Sequence, residues 1–437
     1  MPTKLVKIEL DKSLPQEIEN AQNYQHVWLI VMRQGIPIGR VVIDNLGTPV
    51  LKNQIESELS RQLYWSLVWN KDLSDEANLA EVLGLTKKIP SDFEDEPELV
   101  DLLPELKPKT GQNFFLSIVI CTYDRPTDLE KCLESMQKLE TGRHKIEILV
   151  VDNHPSSGLT LPVVEKFKTV RYETETRPGV SYARNKGLRD SRGEIVAYID
   201  DDVVLPSGWV KRILAPFTDE RVMCVSGLVL PLELETESQE LFEMYGGLGR
   251  GFSPRIFDTA FFNQSKRHVV PTWDLGGTAN VAIRKTVIAQ SGMFDETLGP
   301  GLPTGVGEDI YMFYQILKFG HICYYEPAAY VWHKHRRTLK ELKRQLYGYN
   351  KGQTSYQLRT LVSDGDTRAL WQLFFDLPIW HLKRFIRILQ KRNPYPLYLL
   401  WEEVRGNLVG FYAFNKAVKM HRKLNGLGAN PIKSKTK

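Results

Sequence analysis

The apolar positions of the chain change period several times. Two short β-branched stretches, His26–Arg33 and Arg40–Asp44, flank the Gly/Pro-bearing turn Gln34–Gly39, which predicts a hairpin. Leu59, Leu63 and Leu67 then recur at helical spacing within Leu51–Trp69. Residues 1–90 thus read as a small α+β module without a catalytic constellation, suited to packing or docking. Residues 91–112 are acidic and carry three prolines, the composition of a linker.

From Phe114 the pattern becomes strand–helix alternation. Leu116–Cys121, Ile146–Val151, Thr169–Glu173 and Ile195–Ile199 read as strands. Between them, Leu129, Cys132, Leu133 and Met136 mark a helix for which Asp128 would be the cap, and Val180–Arg189 a second helix. Such βαβα order predicts an α/β fold, a mainly parallel sheet with helices on both faces. The alternation runs over 113–335; a basic helical region, 336–437, follows.

The Ile195 strand ends in Asp200, Asp201 and Asp202, and Ile146–Val151 ends in Asp152. Ligands of open α/β sheets sit outside the carboxyl ends of the strands. Three adjacent acids there repel one another unless a hard cation with oxygen ligands, Mg²⁺ or Mn²⁺, neutralises them and in turn holds phosphate oxygens. A solvated acidic turn would show the same residues; the neighbouring segments decide between the two. The Gly/Pro-rich run Leu298–Gly307 is built to move over a substrate, and it leads into Glu308 and Asp309 at the start of a helix over 310–319. Gly246–Gly251 lacks dinucleotide spacing and reads as a loop.

Ser117–Arg125, Val150–Asn153, Arg177–Gly187, Ile199–Asp202, Gly276–Asn280 and Gly307–Tyr311 resemble, in order and spacing, the blocks of family 2 glycosyltransferases, inverting nucleotide-sugar enzymes with the GT-A fold. The resemblance covers about Phe114–His335. It implies a divalent metal, Mn²⁺ or Mg²⁺, held by Asp200 and Asp202, with Asp201 as the middle acid beside the substrate. It implies further that Asp152 accepts from the base of a UDP- or GDP-linked donor and that Thr122 and Arg184 line the nucleotide pocket. Arg184 could equally pair with Asp152 or Asp200. Asp309 matches the general base, with Glu308 beside it, and Gly276, Gly277 and Asp274 match the acceptor side. His333, nearer its strand than His335, would complete the metal site. Two departures stand in the first block: Cys121 replaces the usual proline and Asp124 the usual asparagine. A non-catalytic sugar-nucleotide binder on the same fold is the alternative reading, and a nucleotidyltransferase a more distant one.

Composition and charge add to this picture. The four cysteines share no metal-ligand spacing and read as free thiols of a reducing compartment. The start of the chain has no signal-peptide pattern and no run is long enough to span a membrane, so a cytoplasmic location is expected. The net charge of +4 hides an asymmetry: residues 330–437 hold 22 Lys and Arg against 6 Asp and Glu, so the rest is acidic. Within the basic region, Leu382, Phe385, Ile386 and Leu389 share a helical face flanked by Lys383, Arg384, Arg387, Lys391 and Arg392. Segment 377–392 is therefore a candidate for contact with the inner face of a membrane, next to a glycan or lipid-linked acceptor; packing on the acidic part of the chain is the alternative. No stacking platform for nucleic acid is present, and none is expected to bind.

Overall fold

A computed structural model describes residues 3–45, 47–68, 111–392 and 395–426, with the backbone alone for 64–68. Nearly all of the expected linker, 91–112, lies outside the described residues. The expected hairpin forms: β2 (His26–Arg33) pairs antiparallel with β3 (Ile36–Asp44), and helix α1 (Lys52–Val68) follows. The hydrophobic pattern did not show β1 (Thr3–Glu9), which lies parallel to β2. Alternate side chains of β2 and β3 pack with Ile55, Leu59 and Leu63 of α1 in a core of their own. The other face of β2 sends Ile30 and Met32 into the main core, so this module sits against the large sheet.

The large sheet carries the site. Its strands are β4 (Phe115–Thr122), β5 (Lys145–Asp152), β6 (Val170–Thr174), β7 (Ile195–Asp200), β8 (Val203–Val204), β9 (Val222–Pro231), β10 (Arg255–Phe257), β11 (Asn280–Arg284) and β12 (Ile322–His333). Their order is β8-β12-β9-β11-β7-β4-β5-β6, with β10 on β12. The half β7-β4-β5-β6 is parallel, as the alternating pattern predicts. Beyond β7 the sheet turns mixed, because β11 runs antiparallel between β7 and β9 while β9 and β12 are parallel. Strands β4, β5 and β7 are mainly apolar, and separate clusters cover their two faces. The result is a GT-A-like α/β sheet flanked by helices, with a helical C-terminal region.

Helices α2 (Pro126–Met136) and α3 (Val180–Asp190) follow β4 and precede β7. Asp128 does not cap α2. Pro126 opens the helix, its fixed φ suiting the first position, and Asp128 lies in the first turn, where its carboxylate accepts from Lys334 Nζ at 2.7 Å. Helix α4 (Glu237–Tyr245) starts with a capping box formed by Thr236 and Gln239. Helix α5 (Glu308–Lys318) begins directly after the glycine-rich loop. Then come α6 (Leu339–Arg359), α7 (Leu377–Leu389) and α8 (Leu397–Leu424). All four cysteines are unpaired, and three are buried. Among the described residues no helix is long and apolar enough to cross a membrane.

One buried amide fixes the mixed half. Asn280 Nδ2 donates to Leu228 O at 3.1 Å and to Ala329 O at 2.7 Å, spanning the irregular register of β9 against β12. Gly227 leaves room for it: a Cβ there would stand 1.9 Å from Ala329 O and 2.3 Å from Asn280 Nδ2. Gly227→Ala is therefore expected to destabilise the protein by about 1–3 kcal/mol, the usual cost of overpacking. Urea unfolding checks this, with a lower midpoint at unchanged slope as the expected result.

Candidate active site

Strand register gathers the acids. Cys121 of β4 pairs with Asp200 of β7, and Thr122 pairs with Asp152 of β5, so three strand ends finish side by side. The chain then folds back through β8, whose Val203 lies opposite His333 of β12. This short ladder sets Asp202 beside His333. Ligand atoms of Asp200, Asp202 and His333 all lie within 4.8 Å of one another.

The three carboxylates have different surroundings. Asp201 accepts from Thr122 Oγ1 at 2.7 Å and from Arg125 Nη1 at 3.0 Å; burial and the charge of Asp202 push it up to about 7. Asp202 is also buried, but His333, Arg125 at 2.7 Å and Arg336 outweigh burial and hold it below the usual range. Asp200 keeps 39% of its side chain exposed and faces Arg184 Nη2 at 3.5 Å. Asp201 is thus turned towards protein donors, whereas Asp200 and Asp202 face the cleft with His333.

His333 is held by a chain of side chains. Its Nδ1 lies 3.0 Å from His335 Nδ1, and His335 Nε2 lies 2.7 Å from Glu243 Oε1 on α4. An ionised Glu243 only accepts, so His335 carries its proton on Nε2 and offers a lone pair at Nδ1. His333 then donates from Nδ1 and turns the lone pair of Nε2 outward, the tautomer a metal ligand needs. That nitrogen faces Asp202 Oδ1 at 3.2 Å, and although burial opposes it the charge of Asp202 raises the pKa of His333, so the two share a proton. A metal ion bound there would take the place of that proton. The donor set of two carboxylate oxygens and an imidazole suits Mn²⁺ well and Mg²⁺ less so.

Arg184 joins two walls of the cleft. Its side chain is only 6% exposed, bonds Glu308 Oε1 through Nη1 and reaches Asp200 through Nη2. Of the alternatives open in the sequence, it takes the partner Asp200 rather than Asp152, and adds Glu308. Burial and the neighbouring Asp309 push Glu308 up to about 7 against the pull of Arg184. Asp309, the second residue of α5, is half-buried. A Cβ on Gly277 would stand 3.0 Å from Asp309 Oδ2, and Gly276 beside it has φ 103°, so the two glycines let this segment approach the acid closely.

Asp152 is buried at the end of β5, where Oδ1 accepts from His154 N–H at 2.9 Å and Oδ2 from the Tyr172 hydroxyl at 2.8 Å. Beside it, exposed Tyr123 stacks on His154 with ring centres 4.8 Å apart. Asp124 has φ 54°, a conformation that both aspartate and the usual asparagine tolerate, and bonds His154 Nδ1 at 2.7 Å. Asp274 lies on the far side near Arg250 and Arg255; burial raises its pKa against the pull of these arginines. Sequence reasoning missed Arg125, His335 and Glu243. Arg125 stood inside the first quoted block without a role, His335 was set aside for His333, and Glu243 gave no local signal.

Fold and site together define an α/β domain of GT-A type with an acid-lined cleft at the strand ends. Residues 117–270 match the sequence model of glycosyl transferase family 2. It is 26% identical over 221 residues to a pre-mycofactocin glycosyltransferase of Mycobacterium tuberculosis, covering 49% of this chain and 43% of that protein. It is 26% identical over 192 residues to glycosyltransferase AglE of Haloferax volcanii, covering 43% and 58%. The chain thus spans about half the length of these curated relatives. A solved mannosyltransferase of Pyrobaculum calidifontis, in complex with GDP-Man and Mn²⁺, aligns over 75% of this chain and 79% of its own at 14% identity and a TM-score of 0.42, too loosely to transfer any contact.

Removing one partner of a buried ion pair costs about 3–5 kcal/mol. Arg184→Met is expected to show a loss of that order at pH 8, where Glu308 of the wild type is ionised, and a smaller one well below pH about 7, where Glu308 is protonated in both proteins. The added substitution Glu308→Gln should recover most of the loss at pH 8. Urea denaturation of the single and double variants across this pH range checks the coupling.

Proposed function

We propose that the protein is a metal-dependent, inverting glycosyltransferase. It moves a hexose-type sugar from a nucleotide-sugar donor, UDP- or GDP-linked, to an acceptor hydroxyl. The observation that carries this reading is the convergence of Asp200, Asp202, His333, Arg184, Glu308 and Asp309 on one cleft within a family 2 domain. The setting is bacterial polysaccharide or glycolipid synthesis in the cytoplasm, at the inner face of the membrane, with a glycan or lipid-linked acceptor.

Thr122 and Asp152, at the ends of β4 and β5, would line the nucleotide pocket, with Asp152 accepting from the base of the donor. Asp200, Asp202 and His333 would hold Mn²⁺ or Mg²⁺, which supplies Lewis-acid neutralisation of the diphosphate. Asp309 accepts the acceptor's proton as its oxygen bonds to the sugar's anomeric carbon. The bond from that carbon to the diphosphate oxygen breaks at the same time, and the nucleoside diphosphate leaves. Arg184 keeps Glu308 and Asp200 in register, which positions α5 and hence Asp309. The loop 298–307, which leads into Glu308, would exclude water and so limit hydrolysis of the donor.

A thermal-shift screen against UDP-, GDP- and dTDP-sugars, each with Mn²⁺, Mg²⁺ or EDTA, tests the donor side. A metal-dependent rise with one nucleotide is expected, because a ligand bound to the native state stabilises it. Asp309→Asn should keep that rise and lose at least about a hundredfold in turnover, the usual contribution of a positioned base. A variant with undiminished function would identify a binder instead.

The imidazole chain gives a second expectation. Glu243→Leu removes the acceptor that fixes His335, and Mn²⁺ affinity should fall about 10–100-fold, as for other outer-shell partners. Glu243→Gln retains an acceptor oxygen and should stay near wild type. Mn²⁺ titration followed by electron paramagnetic resonance reads both. An unchanged affinity in the leucine variant would exclude this role for Glu243.

A further inference from the structure

Helix α7 carries its polarity inside out. The hydrogen bonds that hold it to α8 come from its inner face, where Arg384 Nη1 donates to Glu403 Oε2 at 3.1 Å and His381 Nε2 lies 2.7 Å from Asn407 Nδ2, while Ile388 packs on the cluster with Leu399 and Leu400. Its apolar face points to solvent, with Leu382 58%, Ile386 42% and Leu389 64% exposed, and no residue of the helix is buried. Helix α8 continues the pattern. Its outer stripe, at the four-, seven- and four-residue steps of one helical face, is Leu397, Trp401, Leu408 and Tyr412, and the last three are each 64–68% exposed. Phe374 and Phe375, in the turn before α7, are exposed as well, and Phe374 lies against Phe411 of α8 with ring centres 6.3 Å apart. Of the 24 exposed large apolar residues in the described parts of the chain, 16 fall between Val362 and Leu424. Scattered exposure would not concentrate them so, and a contiguous apolar face marks an interaction surface.

Charge selects the occupant. Residues 377–424 hold 10 Lys and Arg against 2 Asp and Glu. Both acids are engaged within the helices, Glu403 by Arg384 and Glu402 by Arg405 at 2.6 Å. Lys383, Arg387, Lys391 and Arg392 are exposed beside the apolar stripe. A second copy of this chain docked face to face would set these cations against themselves. An anionic bilayer satisfies both parts: the apolar stripe enters the boundary between headgroups and acyl chains, and the cations lie at the phosphates.

We propose that α7, α8 and the turn Gln372–Asp376 form a face that docks flat on an anionic lipid bilayer, and that the acceptor is presented from that bilayer. The second half rests on the glycosyltransferase reading. A groove of about 430 Å³ runs between Trp273 and His268 on one side and Gln372 and Asp376 on the other. Its far wall is the turn that carries Phe374 and Phe375, and its near wall is the Thr272–Leu275 segment beside Gly276 and Gly277. A lipid-linked acceptor anchored at the docking face has this groove as its route towards Asp309.

The full-length protein is co-sedimented with vesicles of phosphatidylcholine alone and of phosphatidylcholine mixed with phosphatidylglycerol. Binding to the anionic vesicles is expected, weakening as salt rises. Leu382→Glu and Trp401→Glu should each reduce it about tenfold or more, since each removes an inserted side chain and adds an anion. Leu382→Phe should retain it. Both glutamate substitutions are at exposed positions, and unchanged melting in EDTA would confirm that the fold is intact. The nucleotide-sugar thermal shift without lipid should be the same in all variants. If that shift is absent while vesicle binding behaves as described, the catalytic reading fails and the docking face stands. Absence of binding by the wild-type chain overturns the proposal. So does undiminished binding by both glutamate variants, or a dimer in solution that Leu382→Glu dissociates.

Discussion

Three carboxylates in sequence at the end of one strand are the constraint around which this protein is arranged. Like charges packed so closely, two of them buried, raise one another's energy unless fixed cations and hydrogen bonds answer them. The answers come from every side of the cleft: Arg125 from the loop after β4, Arg184 from α3, His333 from the end of β12. Each counter-charge ties a different element to β7. Relief of one electrostatic cost thus fixes the relative positions of strands far apart in sequence. It also leaves Asp202 and His333 facing each other at 3.2 Å, where a metal ion would take the place of the proton they share.

The parallel half of the fold was legible because its signal is local. Strands β4, β5 and β7 are mainly apolar runs, β5 and β7 end in acids, and the helices between them have a regular apolar face. The mixed half was harder to read. The antiparallel insertion of β11 depends on Asn280 bridging two carbonyls and on the absence of a side chain at Gly227, contacts between residues about 50 positions apart. The parallel partner of the first hairpin escaped for a similar reason, since β1 is set by pairing with β2 rather than by a pattern of its own.

The site divides along the same line. Asp200, Asp202, Asp309 and His333 stand at the ends of regular elements, so the sequence could point to them. The roles of Arg184, Glu243 and His335 depend on what stands opposite. Arg184 was readable as a cation near acids, but only the fold shows that it joins Glu308 to Asp200. Glu243 lies on a helix with an ordinary capped start and acts through His335, 92 residues further on.

Where a working unit ends is a matter of contact rather than of sequence likeness. Gly406 and Gly410 bring α8 to the backbone of α6, where a Cβ would stand 2.5 Å from Tyr347 O and 2.5 Å from Thr354 Cβ. Gly352 of α6 in turn lies under the loop that precedes Asp309, with a Cβ there 2.2 Å from Val306 Cγ2. Tyr356 of α6 belongs to the core beneath the sheet. A fragment cut to the family-matched residues 117–270 would therefore lose Glu308, Asp309 and His333. One cut after β12 would keep those residues but strip the helix on which their loop rests. The smallest piece worth expressing runs through α8.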